Sequence, residues 1–192
     1  MPPKVKITKE DIIKTSLELV RRNGTNALNA RAIAAELNCS TQPVFSNFAT
    51  MDELQKAALD AAYGTYLDFI KSEVERGIYP PYKAFGMSYV RFAKDEKELF
   101  KFLFMRDRTD EDISPSPDFE ESVQMIMSAN RVSKEVAYLI HLELWTCVHG
   151  IGTMLATSYL ELEWDLISGM LTDVYQGVCE RYAGKGDKCG SN

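Results

Sequence analysis

The 192-residue chain is poor in the residues on which most site chemistry rests. It has two histidines and four cysteines. Cys39, Cys147, Cys179 and Cys189 form no CxxC pair and lie near no histidine at ligand spacing except for Cys147 and His149, which lack further partners. That leaves no metal-site signature and points to reduced thiols in a cytoplasmic protein. There is no G-x-S-x-G elbow and no glycine-rich phosphate loop. Carboxylate pairs such as Glu120/Glu121 and Glu161/Glu163 read as solvated surface. An enzyme is therefore not expected, and neither is a bound cofactor. No segment alternates apolar and polar residues as a half-buried strand would. The longest uncharged stretch of the C-terminal half, residues 144–160, contains His149 and two glycines and is short for a membrane span. It reads as a buried helix. Met1 to Lys4 is followed by no apolar run, so no signal peptide is expected.

Positive charge is also scarce. The net charge is −6, which by itself argues against a polyanionic partner. Its distribution softens that argument. Residues 1–56 carry eight Lys or Arg against six Asp or Glu, while residues 57–192 carry fourteen against twenty-two. Only the N-terminal third is suited to phosphates, and only weakly.

What is present is helical periodicity almost throughout. Thr8 and Asp11 form a capping-box pattern ahead of a helix with Ile13, Leu17 and Val20 on one face, stopped by Asn23 and Gly24. Asn29 can cap a second helix whose inner face is Ala30, Ile33, Ala34 and Leu37. Ser40 can cap a third, short helix that reaches Phe48. Thr50 and Glu53 open a fourth that runs to about Arg76, before Gly77 and Pro80-Pro81. Further helices are predicted near 82–94, 96–106, 118–129, 133–160 and 165–183, with a polar loop at 108–117. The reading is all-α, about nine helices. Residues 1–50 form a three-helix head, residues 51–183 a larger helical domain, and residues 184–192 a glycine-rich tail.

Residues 30–54 carry the most information. Two short helices are separated by Asn38, Cys39 and Ser40. A helix-turn-helix needs small residues where its helices cross, which Ala34 and Ala35 supply, and a tight turn with positive φ, which Asn38 tolerates. Pro43 falls in the first turn of the second helix, where a missing N–H matters little. With Arg31, Ile33, Ala34, Phe45, Phe48 and Leu54 at their spacing, residues 8–60 resemble the tetracycline-repressor (TetR) family of transcriptional regulators. Trp145, His149 and Gly150 look similar to a Trp/His-Gly segment of one group within it. The resemblance implies a ligand-responsive repressor that binds double-stranded DNA. The expected DNA-contacting set is Asn29, Arg31, Ser40, Thr41, Gln42, Pro43, Phe45, Ser46 and Asn47, with Lys4 and Lys6 as further phosphate contacts.

Three departures from the family pattern bear on that set. Asn38 stands for the turn glycine, Phe45 for the usual tyrosine, and Met51 for a lysine. Two phosphate contacts are thereby missing, and the recognition helix holds no Arg or Lys. Backbone N–H groups and polar side chains must carry more of the binding. Gln42 and Asn47 suit adenine, and Thr41 or Pro43 a thymine methyl, so an A/T-leaning half-site is expected.

In the larger domain, large soft side chains cluster. The resemblance implies an effector there, small, of unknown identity and largely apolar, with Tyr89, Phe92, Phe104, Met105, Trp145, His149 and Met154 as contacts. Aromatic and Met residues at this spacing also suit a plain core, and His149 a satisfied core histidine. The helices near 133–160 and 165–183, rich in apolar residues and carrying Gly150, Gly152, Gly169 and Gly177, are predicted to form a homodimer through a four-helix bundle. The competing reading is a helical protein–protein interaction module without specific DNA binding.

Overall fold

A computed structural model describes residues 7–109 and 116–182. Lys4 and Lys6, residues 110–115 of the loop, Cys189 and the 184–192 tail lie outside the described residues. Within them the chain is all-α. Nine α-helices follow in order: α1 (Lys9–Asn23), α2 (Ala30–Glu36), α3 (Gln42–Asn47), α4 (Met51–Arg76), α5 (Pro81–Asp95), α6 (Lys97–Phe104), α7 (Pro117–Asn130), α8 (Lys134–Ala156) and α9 (Trp164–Tyr182). They form two compact units. The first comprises Met1–Leu67 with Glu96–Arg106, the second Asp68–Asp95 with Asp107–Asn192.

In the first unit, local chemistry sets the helix ends. The Thr8 hydroxyl accepts from the Asp11 amide at 3.1 Å, and the Asp11 carboxylate accepts from the Thr8 amide at 3.0 Å, closing the expected capping box. Ile12, Leu17, Leu19 and Val20 are buried, whereas Ile13 only flanks the core. Ser16 is also buried, its hydroxyl donating to the Ile12 carbonyl at 2.8 Å. α1 packs its core face on Ala30, Ile33, Val44, Phe48 and Leu54.

The compact unit that contains residues 7–50 takes in more chain than the three helices of the expected head. α6 joins this unit through Leu99, Phe100, Phe102 and Leu103, all buried. Glu96, at its start, accepts from Arg21 Nε at 2.9 Å, and Arg21 also reaches Glu18 at 2.7 Å. Tyr66 meets Phe104 edge-on at 5.4 Å.

The second unit is built on α8. Its inner face, with Ala137, Ile140, Leu144, Val148, Ile151 and Leu155, is buried against α5, α7 and α9. α8 is the one described helix long and apolar enough to cross a membrane by length and composition. Its packing makes it a core helix, as the uncharged stretch suggested. It stops at Ala156 rather than near 160. Ser158 turns left-handed at φ 54°, and the Ser158 and Tyr159 amides bond back to Leu155 and Met154 at 3.0 and 2.9 Å. This double return is the Schellman stop, here with serine at its left-handed position.

Glu73 of α4 is 2% exposed. Its Oε1 accepts from Arg76 and twice from Arg91, at 2.9–3.1 Å. Arg91 in turn lies over the Trp164 ring at 4.3 Å. A buried carboxylate needs such partners.

One position in the first unit tolerates only glycine. Gly24 closes α1 at φ 74° and ψ 176°, a region essentially closed to residues with a Cβ, and a Cβ there would sit 3.1 Å from the Glu98 carboxylate. Gly24→Ala should lower unfolding free energy by about 1–3 kcal/mol, read as a drop in the urea midpoint.

Candidate nucleic-acid interface and effector region

The turn between α2 and α3 is closed by the backbone. Asn38 sits in the left-handed region at φ 51°. Its amide returns to the Ala35 carbonyl at 3.1 Å, and the Cys39 amide to Ala34 at 2.9 Å. These bonds satisfy the last carbonyls of α2 and send the chain across it. Asn29 caps the other end, its side-chain oxygen accepting from the Ala32 amide at 2.9 Å and its Nδ2 donating to the Ala27 carbonyl at 3.2 Å. Of the two small residues expected at the crossing, Ala34 is buried, beside Ala30 and Ile33 of the inner face, whereas Ala35 is exposed.

Two expectations for α3 change. Ser40 does not cap it. Thr41 holds the N-cap position, with no side-chain capping bond, and Pro43 falls in the first turn. A Schellman stop consumes the residues up to Cys39, so the helix begins later than a Ser40 cap would allow. Asn47 is not an outward reader either. It is half-buried, and its Nδ2 donates to the Pro43 carbonyl at 2.8 Å and towards Ile7 at 3.4 Å. It ties α3 to the segment before α1.

Gln42, Phe45 and Ser46 remain exposed, with Thr41 and Pro43 partly so, while Val44 and Phe48 are core. The Ser46 hydroxyl donates to the Gln42 carbonyl at 2.9 Å, leaving its oxygen as an acceptor. Ser40 and Arg31 are exposed, and Arg31 makes no ion pair among the described residues.

The start of α4 shows what the sequence reading missed around the helix-turn-helix. Glu53 accepts from the Ala49 amide at 2.8 Å and approaches Lys9 at 3.4 Å. The Ala49 amide and then Lys9 hold its carboxyl below the usual range. Lys9 also lies 4.9 Å from the Phe48 ring centroid. The i,i+3 spacing of Thr50 and Glu53 signalled the cap. The Lys9 contact, 44 residues away in sequence, had no such signal.

The predicted effector contacts divide between the units. Phe104, half-buried, and Met105, exposed, belong to the first. In the second, Tyr89 is buried with its hydroxyl 2.8 Å from His149 Nδ1, and Trp145 stacks on the His149 ring at 5.1 Å and 22°. Phe92 is fully buried and meets Phe69 edge-on, which makes it core. Met154 is half-buried beside Thr153, whose hydroxyl oxygen is buried without a hydrogen-bond partner. Burial pushes the Tyr89 hydroxyl up and the His149 imidazole down from their ordinary values.

A second pair repeats the arrangement seven residues back on α5 and eight back on α8. Tyr82 and His141 lie 3.0 Å apart at Nδ1, and Phe119 packs edge-on to that imidazole at 4.4 Å. Burial lowers His141 to about 4, against the raising effect of Asp118. A depressed histidine is neutral when folded and protonates on unfolding. Its stabilisation is full above pH 6.5 and is lost as pH falls from 6.5 to about 4. The loss should reach about 3 kcal/mol at pH 4. His141→Phe should flatten most of that slope in urea midpoints measured across the window.

No protein-family model matches the chain, and no curated protein matches it in sequence. Solved structures do match. A TetR-like transcriptional regulator from Rhodococcus sp. RHA1 aligns at TM-score 0.60 and 16% identity, covering 92% of this chain and 96% of that one. A TetR-family member from Streptomyces coelicolor A3 aligns at 0.60 and 17%, covering 86% and 96%. A TetR variant from Acinetobacter baumannii AYE, solved with minocycline, aligns at 0.57 and 12%, covering 95% and 100%. Across nearly its whole length, the chain has the fold of the TetR-like regulators.

Proposed function

We propose that this chain is a ligand-responsive DNA-binding repressor that works in the cytoplasm as a homodimer on a pseudo-palindromic operator. One observation carries the reading. A tight left-handed turn at Asn38 joins two short helices, and the second presents Gln42, Phe45 and Ser46 outward with no charged side chain among them. A helix so presented suits base edges in a major groove. Regulators of this fold supply the analogy for function, which the site residues then have to support.

The second unit would hold the effector. Tyr89, His149 and Trp145 offer an aromatic wall with polar points, and Thr153 a buried hydroxyl in want of a partner. An apolar molecule with one or two polar groups fits that inventory; minocycline in the A. baumannii structure is a ligand of a relative in fold. The chain passes from one unit to the other within α4, at residue 67, and again on either side of α6. These are the covalent routes by which a ligand-biased state could alter the head.

The dimer reading rests on exposed apolar residues. Tyr138, Leu139, Leu142 and Trp145 on α8 and Leu166 on α9 are 40% or more exposed. Nothing lies within 4 Å of a Cβ built at Gly169 or Gly177 of α9, so another helix could approach there. Leu142→Glu with Leu166→Glu should halve the mass in sedimentation equilibrium and abolish specific DNA binding without changing the helical signal. A dimer undiminished by both changes would exclude this face.

The function is tested by gel shift on the DNA upstream of the chain's own gene, at low and moderate salt, against random duplex. Specific binding should survive moderate salt better than the control. Its absence at both salts would favour the interaction-module reading, which the lack of cations on α3 keeps in view.

A further inference from the structure

The outward face of α3 leaves one feature that the polar-reader scheme does not use. Phe45 is 50% exposed, while Phe48, one turn on, is 2%. Among the described residues 7–66, Phe45 is the one large apolar side chain that is exposed. It stands mid-helix between Gln42 and Ser46, and neither could cover it. Asn47, the expected adenine reader, is turned inward by its bonds to Pro43 and Ile7. The exposed face is therefore a ring flanked by a carboxamide and a hydroxyl whose proton is already donated to the Gln42 carbonyl.

We infer that Phe45 is a specificity-determining residue that packs on the C5-methyl of a thymine in each half-site. This rests on the reading of the head as a DNA-binding one. The thymine methyl is the apolar group on major-groove base edges, and the pattern there is otherwise donors and acceptors. A half-exposed ring loses its water contact most completely against such a group. Phenylalanine has no hydroxyl with which to bind a phosphate, so the ring has no polar reason to turn to the backbone. Gln42 one turn earlier can hydrogen-bond to a neighbouring base, and the two side chains would read adjacent steps.

Deoxyuridine removes the methyl and changes no donor or acceptor, which isolates the contact. The duplex recovered by binding-site selection with the full chain is resynthesised with uracil at each thymine in turn. Wild-type affinity should fall about four-fold per substituted half-site at one symmetric position, the effect of one buried methyl. Phe45→Ala should bind more weakly and no longer distinguish thymine from uracil there, whereas Phe45→Leu should still do so. A wild-type scan with no sensitive position would overturn the inference while leaving specific binding intact, as would discrimination that persists in Phe45→Ala and so belongs to Thr41 or Pro43. Should Phe45→Ala bind too weakly to measure, Thr41→Ser and Pro43→Ala must both keep the thymine preference, and its loss in either would overturn the inference. Failure of selection to return any preferred sequence would overturn the DNA-binding reading itself.

Discussion

Everything the head presents depends on how α2 ends. A seven-residue helix leaves four carbonyls without intrahelical partners, and here three residues must satisfy them and redirect the chain. Asn38 does this by adopting a left-handed backbone, so that two consecutive amides return to Ala35 and Ala34. The conformation is uncommon for a residue with a Cβ but tolerated by asparagine. Once the chain leaves Cys39 in that direction, Val44 and Phe48 are committed to the core with Ile33 and Leu54, and the opposite face of α3 is committed outward. Asn47, bonded to Pro43 and Ile7, holds the far end. The direction of the outward face of α3 is thus set by one backbone turn and one side-chain tie.

The features legible in the sequence are those whose partners lie within one helical turn. The Thr8–Asp11 box, the Asn29 cap, Gly24 and Asn38 were all readable because caps and turns are chosen by local backbone chemistry. The buried Ala34 at the α2–α3 crossing followed from the helix-turn-helix spacing. What was not legible came from contacts distant in sequence. Nothing near Glu96 marks it as the partner of Arg21, so α6 could not be assigned to the head. Glu73 reads as another helix-surface carboxylate until Arg91 and Trp164 are brought to it. Asn47 was misread for a related reason. Its type suits a base edge, but a side chain that can reach its own helix carbonyl has a competing partner close by.

The same contacts account for the light charge of the head. Arg21 is taken up by Glu18 and Glu96, Arg22 by Glu36, and Lys9 by Glu53. The exposed pairs among these contribute little to stability, but all of them lower the positive potential that a phosphate would meet. Lys14, Arg31 and Lys56 remain exposed outside any ion pair among the described residues. For the DNA-binding head proposed above, few neutralised phosphates would mean a shallow salt dependence and a larger share of affinity from contacts to base edges. Under the proposed function such a head would rely on shape and apolar complementarity, and on being used twice.

If the second unit holds an effector, as proposed, its paired polar groups limit what that effector must supply. Its interior polar groups are largely paired: Tyr82 with His141, Tyr89 with His149, Glu73 with Arg91. A ligand that bonded to the Thr153 hydroxyl would gain roughly 1 kcal/mol from a neutral hydrogen bond. Moving a two-state protein from nearly all of one form to nearly all of the other takes about 5.5 kcal/mol of differential affinity. One polar contact is too small by several-fold. The balance has to come from apolar surface that is covered in one state and not in the other, at about 25 cal/mol per Å². That is on the order of 180 Å², an area a small polycyclic or long aliphatic molecule can provide and a small ion cannot.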